Sequence, residues 1–216
     1  MPEDKILVAV SGGKDSLSLL DILAWRKQIL SSPSALYVAN IKAEEIPSET
    51  DTAYLNAFCE RLSVPFMEKR TRINLHQDKR KGICYLCSRQ RRKELFILAG
   101  ELNCNKVAFG HHLDDLIETL LMNMIHHGTF CSIPAKLELF EGKITLIRPL
   151  VSVTNNELAR YATLRGFKPA ATRCPYEHAS MRNEVRKLIL EMTHLNKKVK
   201  QNLFRSMTHI ESDFLP

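Results

Sequence analysis

In KILVAVSGGKDSL, residues 5–17, a short apolar run is followed by two glycines and then by a helical pattern. KILVAV predicts a strand, and the apolar spacing after Ser16 predicts a helix. Gly12 and Gly13 allow the backbone to turn sharply and to approach a ligand closely. The helix behind them presents unpaired N–H groups and its positive dipole end to an anion. The stretch therefore predicts a phosphate site at the carboxyl end of the first strand.

The polar residues of this loop indicate which phosphate chemistry to expect. Ser11 and Ser16 can donate hydroxyl hydrogens, and Lys14 supplies a positive charge. The loop is not a Walker A motif, because Val8 stands where that motif has its first glycine and Asp15 follows the lysine. Transfer of a γ-phosphate is therefore not expected, whereas an acid in the loop is suited to holding Mg²⁺ against a pyrophosphate. An ordinary glycine turn with a capping serine is the simpler alternative.

A second strand-to-helix junction, AFGHHLDDLIET at residues 108–119, carries a similar signal. Gly110 permits a close approach of the chain to a ligand, and His111 is able to contact phosphate. Asp114 and Asp115 are candidates for holding Mg²⁺ or for orienting polar groups. Taken alone, two acids in a first helical turn are also explained by favourable placement on the helix dipole.

Around these junctions, strand-like and helical patterns alternate along the chain. The five predicted strands are KILVAV, ALYVAN, PFMEKRTRI, KVAFG and KITLIRPL. Five strands separated by helices predict a doubly wound parallel sheet, in which ligands bind beyond the carboxyl ends of the strands. Residues 91–103 predict a helix, residues 126–142 a loop or hairpin, and residues 180–193 and 197–212 two further helices. We expect one domain over residues 1–170 and a C-terminal helical appendage over 171–216.

Charge and hydropathy narrow the class of protein. The 216 residues carry a formal net charge of +7, and 44% of them are hydrophobic, which is enough for a normal core. The basic residues cluster in two places: Lys79, Arg80, Lys81, Arg89, Arg91, Arg92 and Lys93, and then Arg173, Arg182, Arg186 and Lys187. Such clustering predicts a polyanionic partner. There is no signal-peptide core and no membrane-length apolar run, so we expect a cytoplasmic protein without membrane contact.

In that compartment disulfides rarely persist, so the six cysteines need another explanation. Cys84 and Cys87 form a CxxC pair among arginines and lysines, which favour the thiolate. Cys174 and His178 add the spacing of two more ligands, so a Cys₃His zinc site is one interpretation. A second interpretation is an iron–sulfur cluster that is held by three thiolates and has one open iron. A third is a cysteine that carries sulfur as a persulfide, and a weaker fourth is a thioredoxin-like redox pair. The remaining cysteines, Cys59, Cys104 and Cys131, are predicted to be packing residues.

SGGKDS and GHHLDDLIET together resemble the PP-loop ATP pyrophosphatase superfamily, whose members adenylate a substrate and release pyrophosphate. CYLCSRQRR and RCPY narrow the resemblance to the group-I tRNA thiolases, and within them to the tRNA 2-thiocytidine synthetases. The resemblance extends from about residue 5 to residue 190. The related thiouridine-forming branch has zinc-finger cysteine and histidine sets at its ends, and their absence here favours the thiocytidine branch.

The resemblance implies an adenine nucleotide alpha hydrolase-like fold with ATP, Mg²⁺ and a [4Fe-4S] cluster as cofactors, with zinc as the alternative to the cluster. We expect catalytic roles for Lys14, Asp15, Lys93 and Asp115, with Lys93 or, alternatively, Arg92 reaching the ATP phosphates. Nucleotide contacts are expected at Ser11, Gly12, Gly13, Lys14, Asp15, Ser16, Gly110, His111 and Asp114. The metal ligands are expected to be Cys84, Cys87 and Cys174.

The activity implied is adenylation of a pyrimidine carbonyl in tRNA, followed by replacement of its oxygen with sulfur. 2-Thiocytidine formation in the anticodon loop is the expected reaction, and a 2-thiouridine is the alternative product. The implied partners are tRNA and a sulfur donor such as a cysteine desulfurase or free sulfide, with a homodimer as a further possibility. Two other classes stay open: an ammonia-using amide synthetase of the same superfamily, and a zinc-containing nucleotide- or RNA-binding module.

Overall fold

A computed structural model describes residues 4–31, 33–46, 50–73, 82–170 and 181–214 of the chain. Strands and helices alternate through most of it. In chain order the elements are β1 Lys5–Ala9, α1 Lys14–Ile29, β2 Ala35–Ala43, α2 Thr52–Arg61, β3 Phe66–Thr71, α3 Ile83–Glu101, β4 Lys106–Ala108, α4 Leu113–His127, β5 Lys136–Leu139, β6 Ile144–Ile147, α5 Asn155–Leu164, α6 Met181–Leu195, α7 Val199–Ser206 and a short 3₁₀ helix, Ser212–Phe214.

The strands form one sheet in the order β3-β2-β1-β4-β6-β5. Neighbouring strands are parallel except for β5, which pairs antiparallel with β6. The predicted doubly wound α/β class is confirmed, and all five predicted strands are present. The predicted count is one strand short, because part of segment 126–142 forms β5 and closes a hairpin with β6. Leu137 and Leu139 give β5 the alternating pattern of a half-covered edge strand, which is too short to stand out in the sequence.

The core lies on both faces of the sheet. In β1, Leu7 and Val8 are both fully buried but point to opposite faces, as the alternation of a strand requires. Val8 joins the core formed with α1, α2 and α5, and Leu7 joins the core formed with α3. The central strands are therefore covered on both sides, which explains why their sequences read as continuous apolar runs.

Helix α3 begins at Ile83, eight residues before the predicted start at Arg91. Leu86 is buried against Ala43 and Ile73, so tertiary packing extends the helix back through the CxxC segment. The buried face of the helix carries Leu95, Leu98 and Ala99, which all lie in the core. The correction matters for function, because it places Cys84 and Cys87 in the first two turns of a helix.

The C-terminal helices pack on α4. Leu113, Ile117 and Leu121 of α4 form a buried cluster with Val185 and Ile189 of α6. Lys200 of α7 reaches Asp114 at the start of α4, with 2.5 Å between Nζ and Oδ1. The domain boundary at residue 170 stays a prediction. Within the described ranges, no helix combines the length and the apolar character needed to cross a membrane.

Two of the three predicted packing cysteines are buried. Cys59 and Cys104 lie in the core, and burial raises the pKa of each thiol to about 11. The prediction for Cys131 is wrong, since this residue is exposed. It lies in the connection between α4 and β5, where Asn123 Nδ2 donates to its carbonyl oxygen at 2.8 Å.

Candidate active site

The winding of the sheet reverses between β1 and β4, and the two predicted motifs meet there. Gly12 has φ +86°, and a Cβ on it would lie 3.0 Å from Thr50 Cγ2 and 3.3 Å from Ala170 Cβ. A Cβ on Gly110 would lie 3.1 Å from the backbone of Asp15. Glycine at position 110 therefore lets the β4–α4 junction touch the phosphate loop, residues 11–16. The two motifs form one site, at the place where doubly wound sheets bind ligands.

The phosphate loop is held by its own serines. Ser16 Oγ donates to the carbonyl oxygen of Gly13 at 2.9 Å and accepts from the Ser11 N–H at 3.2 Å. Helix α1 then begins at Lys14, with Gly13 as its N-cap, and no side chain in the described ranges caps its first N–H groups. An uncapped helix start of this kind leaves donors and the positive dipole end available to an anion.

Lys14 is positioned by a residue that the sequence analysis missed. Its Nζ contacts Asp15 Oδ1 and donates to Asn155 Oδ1 at 2.6 Å. The backbone N–H of Asn155 donates to Asp114 Oδ2 at 2.7 Å, so this asparagine links the phosphate loop to α4. The available signal was the Thr154-x-x-Glu157 capping box, which marks the start of α5 but not its position beside Lys14.

Asp15 and Asp115, the acids predicted to lie near Mg²⁺, stand on either side of His112. His112 Nε2 lies 3.8 Å from Asp15 Oδ2 and 3.6 Å from Asp115 Oδ2. Asp115 Oδ2 also accepts from the His112 backbone N–H at 3.0 Å, which closes the start of α4. The structure therefore brings the two acids into one neighbourhood, although they are 100 residues apart in the chain.

Asp114 is buried and bonded to other parts of the fold. It accepts from the Asn155 backbone N–H and from Lys200 Nζ. Burial acts to raise the pKa of Asp114, but the hydrogen bonds from Lys200 and from the Asn155 backbone outweigh it, and the pKa lies below its usual value. This carboxylate joins α4, α5 and α7, and its expected contact with the nucleotide stays a prediction.

His111 lies at the carboxyl end of β4, beside a second residue that the sequence analysis missed. Its ring stacks on Phe109, with 5.7 Å between centroids, and Nδ1 accepts from Arg148 Nε at 3.2 Å. Burial lowers the pKa of His111 to about 4, and the charge of Arg148 lowers it further against the opposing effect of Asp115. The imidazole is therefore neutral at pH 7, and the bond to Nδ1 assigns its hydrogen to Nε2. Only the position of Arg148 directly after a strand hinted at this role.

The CxxC pair lies at the same edge of the sheet. Cys87 packs with Leu86 against Ala43 and Ile46, where β2 ends. Cys84 and Cys87 are three residues apart on α3, so their side chains share one helix face. The positive dipole end of α3 lies beside the pair, together with the basic neighbours on the same helix.

The third predicted ligand, Cys174, lies outside the described residues, as do His178 and Arg173. Within the part of the chain that the structure describes, no three Cys, His, Asp or Glu side chains are grouped to hold a metal ion. The ligand set Cys84, Cys87 and Cys174 therefore stays a prediction.

The predicted basic surface divides into two parts. Arg89, Arg92 and Lys93 share one exposed face of α3 and line a single groove, as their spacing predicts. The predicted contact of Lys93 with ATP phosphates stays a prediction. Arg182 and Arg186 turn instead to the acids of α4, with Arg186 Nε 2.7 Å from Glu118 Oε1 and Arg182 NH1 3.6 Å from Asp115 Oδ1. Pairing with carboxylates removes much of the charge that these two would offer to a polyanion.

The fold and the glycine- and serine-containing phosphate loop are those of a nucleotide-binding α/β protein. Residues 1–193 match the PP-loop domain family. The chain belongs to that family. It is 36% identical over 216 residues to the tRNA-cytidine(32) 2-sulfurtransferase of Polynucleobacter asymbioticus, covering 96% of this chain and 70% of that protein. The enzyme of the same name from Geobacter sulfurreducens is 33% identical over 219 residues, covering 98% of this chain and 84% of that one. Within the PP-loop proteins, the chain therefore belongs to the tRNA-cytidine(32) 2-sulfurtransferase family.

A solved structure shares the same fold. The U34-tRNA thiolase NcsA from Methanococcus maripaludis, determined with its [4Fe-4S] cluster, superimposes with a TM-score of 0.76 at 24% identity. The match covers 96% of this chain and 73% of that one. The family and the fold class expected from the sequence are both confirmed.

Proposed function

We propose that this protein is an ATP-dependent tRNA sulfurtransferase that adenylates the O2 atom of cytidine 32 and replaces it with sulfur. Two relatives are named tRNA-cytidine(32) 2-sulfurtransferase, which supports cytidine 32 as the target and position 2 as the site of the sulfur. One observation carries the proposal: the uncapped phosphate loop and the CxxC helix lie at the same carboxyl edge of the sheet. This arrangement places the site that would activate the base close to the pair of thiols that would serve sulfur transfer.

The phosphate loop suits a nucleoside triphosphate. The backbone at Gly12 and Gly13 bears no side chain that would fill the approach to α1, and Lys14 lies at the helix start with its charge beside the loop. Asp15 and Asp115 offer carboxylate oxygens, the ligands that Mg²⁺ prefers, and would hold that ion against the phosphates. When bound, Mg²⁺ would neutralise charge on the pyrophosphate.

In the first step, the cytidine O2 attacks the α-phosphorus of ATP. A bond forms between this oxygen and phosphorus, and the bond to pyrophosphate breaks, with the electron pair leaving on pyrophosphate. Lys14 and the N–H groups at the start of α1 stabilise the negative charge that develops there. Sulfide sulfur then bonds to C2 of the base and AMP departs with the former O2, which leaves a thiocarbonyl.

Cys84 and Cys87 fit two positions of a thiolate-ligated centre. They share one face at the start of α3, and neither belongs to the buried core. We propose that Cys174 is the third ligand and that the centre is a [4Fe-4S] cluster. When bound, such a cluster would supply an open iron for holding sulfur. The chain itself contributes the helix N-terminus and the neighbouring cations, which favour a negatively charged centre.

Pyrophosphate release with an unmodified tRNA transcript tests the first half of the proposal. Lys14→Ala should lower the rate about 10²- to 10³-fold, because charge on the leaving group is no longer stabilised. Lys27→Ala, in the last turn of the same helix, is the matched control and should leave the rate unchanged. Wild-type protein that releases no pyrophosphate with any tRNA would contradict the adenylation step.

Metal analysis after anaerobic purification tests the second half. We expect iron and sulfide in the wild-type protein, and their loss together with thiolation in Cys87→Ala and Cys174→Ala, while tRNA-dependent pyrophosphate release persists. Cys131→Ala, at an exposed cysteine outside the site, should retain the iron. One equivalent of zinc with no iron would contradict the cluster. Mass spectrometry of tRNA nucleosides, with and without the gene, distinguishes 2-thiocytidine from a 2-thiouridine.

A further inference from the structure

A groove of about 1250 Å³ opens between α3 and the β5–β6 hairpin. Its lining includes Arg148, directly after β6, and Asn105, directly before β4. The groove therefore extends from the carboxyl ends of the strands to their amino ends. The volume exceeds the roughly 300–1,000 Å³ typical of small-molecule sites. The groove therefore suits an extended ligand better than one nucleotide.

The strongest evidence for a ligand is the environment of Arg148. This side chain is only 7% exposed, yet its partners are the neutral His111 imidazole and the carbonyl oxygen of Pro134. No carboxylate among the described residues pairs with it. Burial and the charge of Arg92 both lower the pKa of Arg148. A buried cation without a counter-ion is costly unless a ligand brings the negative charge.

The rest of the lining repeats this imbalance. Arg89, Arg92 and Lys93 face the groove from α3, and Lys143 faces it from the start of β6. None of these four forms an ion pair with a described carboxylate, and the described residues that line the groove include no Asp or Glu. The groove thus carries five cations along its length, which is the arrangement expected for a phosphodiester backbone.

Between the cations the lining is apolar and aromatic. Phe140, at the tip of the hairpin, is 56% exposed and meets Phe96 of α3 edge to face, with 5.6 Å between ring centroids. Leu137 and Ile97 add apolar surface beside them. Exposed rings beside a row of cations form the stacking platform on which unpaired bases bind.

We infer that this groove binds the unpaired nucleotides of the tRNA loop that flank the target base, with phosphates on Arg89, Lys143 and Arg148 and a base stacked on Phe140. The inference rests on the proposed function, because it supplies the RNA contact which that function needs. Arg148 also connects the groove to the active site through His111. A strand lying in the groove would therefore be continuous with a base placed at the phosphate loop.

Fluorescence anisotropy with an unmodified tRNA transcript tests the groove directly. Phe140→Ala should raise the Kd for the tRNA about 5- to 150-fold through loss of stacking. The double variant Arg89→Ala with Lys143→Ala should lower the slope of log Kd against log salt by about 1.4, since two phosphate contacts are lost. The matched control, Arg26→Ala with Lys27→Ala at the end of α1, should change neither quantity.

Arg148→Met distinguishes RNA from nucleotide as the anion. We expect weaker tRNA binding, about tenfold in Kd, and an unchanged Kd for ATP. A variant that weakens ATP binding and leaves tRNA binding intact would overturn the assignment to RNA. If Arg148→Met does not fold, Phe140→Ala and Lys143→Ala, both at exposed hairpin positions, still decide the question.

The remaining outcomes separate the groove from the proposed function. Groove variants that thiolate tRNA and bind it as tightly as the wild-type protein would overturn the groove and leave the function intact. Groove-dependent tRNA binding without pyrophosphate release or thiolation by the wild-type protein would support the groove and overturn the function. A dimer in light scattering that Phe140→Ala converts to monomer, with tRNA affinity unchanged, would assign the groove to a second copy of the chain and overturn the inference.

Discussion

Asp21 and Arg148 are both nearly buried charges, and the fold surrounds them differently. Asp21 of α1 is 1% exposed and accepts hydrogen bonds from the Tyr161 hydroxyl at 2.6 Å and from Arg165 Nε and NH2 at 2.8 and 2.9 Å. Its charge is balanced by a cation from α5. Arg148, beside the groove on the other side of the sheet, donates to uncharged acceptors, and no carboxylate in the described ranges pairs with it.

The difference separates a structural charge from a functional one. A buried carboxylate held by a guanidinium and a hydroxyl has its desolvation offset within the fold, and it fixes α5 against α1. A buried guanidinium without a carboxylate lowers the stability of the free protein, and a ligand phosphate would restore the balance. The contrast therefore predicts opposite responses when each charge is disturbed.

The largest effect on stability is expected when the balanced charge loses its partner. Arg165→Ala leaves Asp21 buried with only Tyr161, and we expect the free energy of unfolding to fall by about 3 kcal/mol. Urea denaturation measures the change. Arg160→Ala, at an exposed position of the same helix, should stay within about 0.5 kcal/mol of the wild-type value. A loss at Arg165 no larger than at Arg160 would contradict the structural role of the pair.

A smaller effect is expected from the imidazole on which Arg148 depends. Because the pKa of His111 is about 4 in the folded protein, below its unfolded value near 6.5, the unfolded chain takes up this proton first as pH falls. The free energy of unfolding should therefore decrease between about pH 6.5 and pH 4, by on the order of 2 kcal/mol from this group. The free energy of unfolding is measured against pH for the wild-type protein and for His111→Asn, and the difference between the two curves gives the contribution of His111. Identical curves would show that His111 is not buried in its neutral form.

The next effect concerns positioning of the active-site lysine. Asn155→Ala removes the amide that fixes Lys14, and we expect the rate of tRNA-dependent pyrophosphate release to fall about tenfold. The Kd for tRNA should not change, which separates positioning from substrate binding. Asn156→Ala, at the exposed neighbouring position, is the control and should keep the wild-type rate. Equal rates for both variants would remove Asn155 from the site.

The smallest effect on stability is expected at the unbalanced charge itself. Arg148→Met removes a buried cation and keeps an apolar stem of similar size, so the free energy of unfolding should stay within about 1 kcal/mol of the wild-type value, or rise. Thermal and urea unfolding measure it. A loss as large as that of Arg165→Ala would show that Arg148 is a structural residue after all, and would remove the contrast.

Much of the fold and part of the site could be predicted from local sequence. The strands of the central sheet are covered on both faces, so their apolar runs are visible without knowledge of their partners. The glycines, the serines and Lys14 of the phosphate loop lie within six residues, so the turn and the anion site that they form can be predicted from that segment alone. The same holds for the helical face of Arg89, Arg92 and Lys93.

The parts that could not be predicted depend on contacts distant in sequence. Helix α3 extends back to Ile83 because Leu86 packs on residues from two other strand ends. Cys131 is exposed because the connection between α4 and β5 lies on the surface, and its polar and apolar sequence neighbours do not indicate this. Asn155 and Arg148 became visible as site residues only when α5 and β6 were placed beside Lys14 and His111.

The α/β class, the phosphate loop and the family follow from short motifs, because the chemistry of each motif requires residues that are neighbours in the chain. The tertiary structure decided which charges are balanced. Asp21 and Arg165 are 144 residues apart and bond directly, whereas Arg148 lies buried beside a groove whose described lining contains no acid. Charge balance depends on distance and burial, and neither is set until the chain has folded.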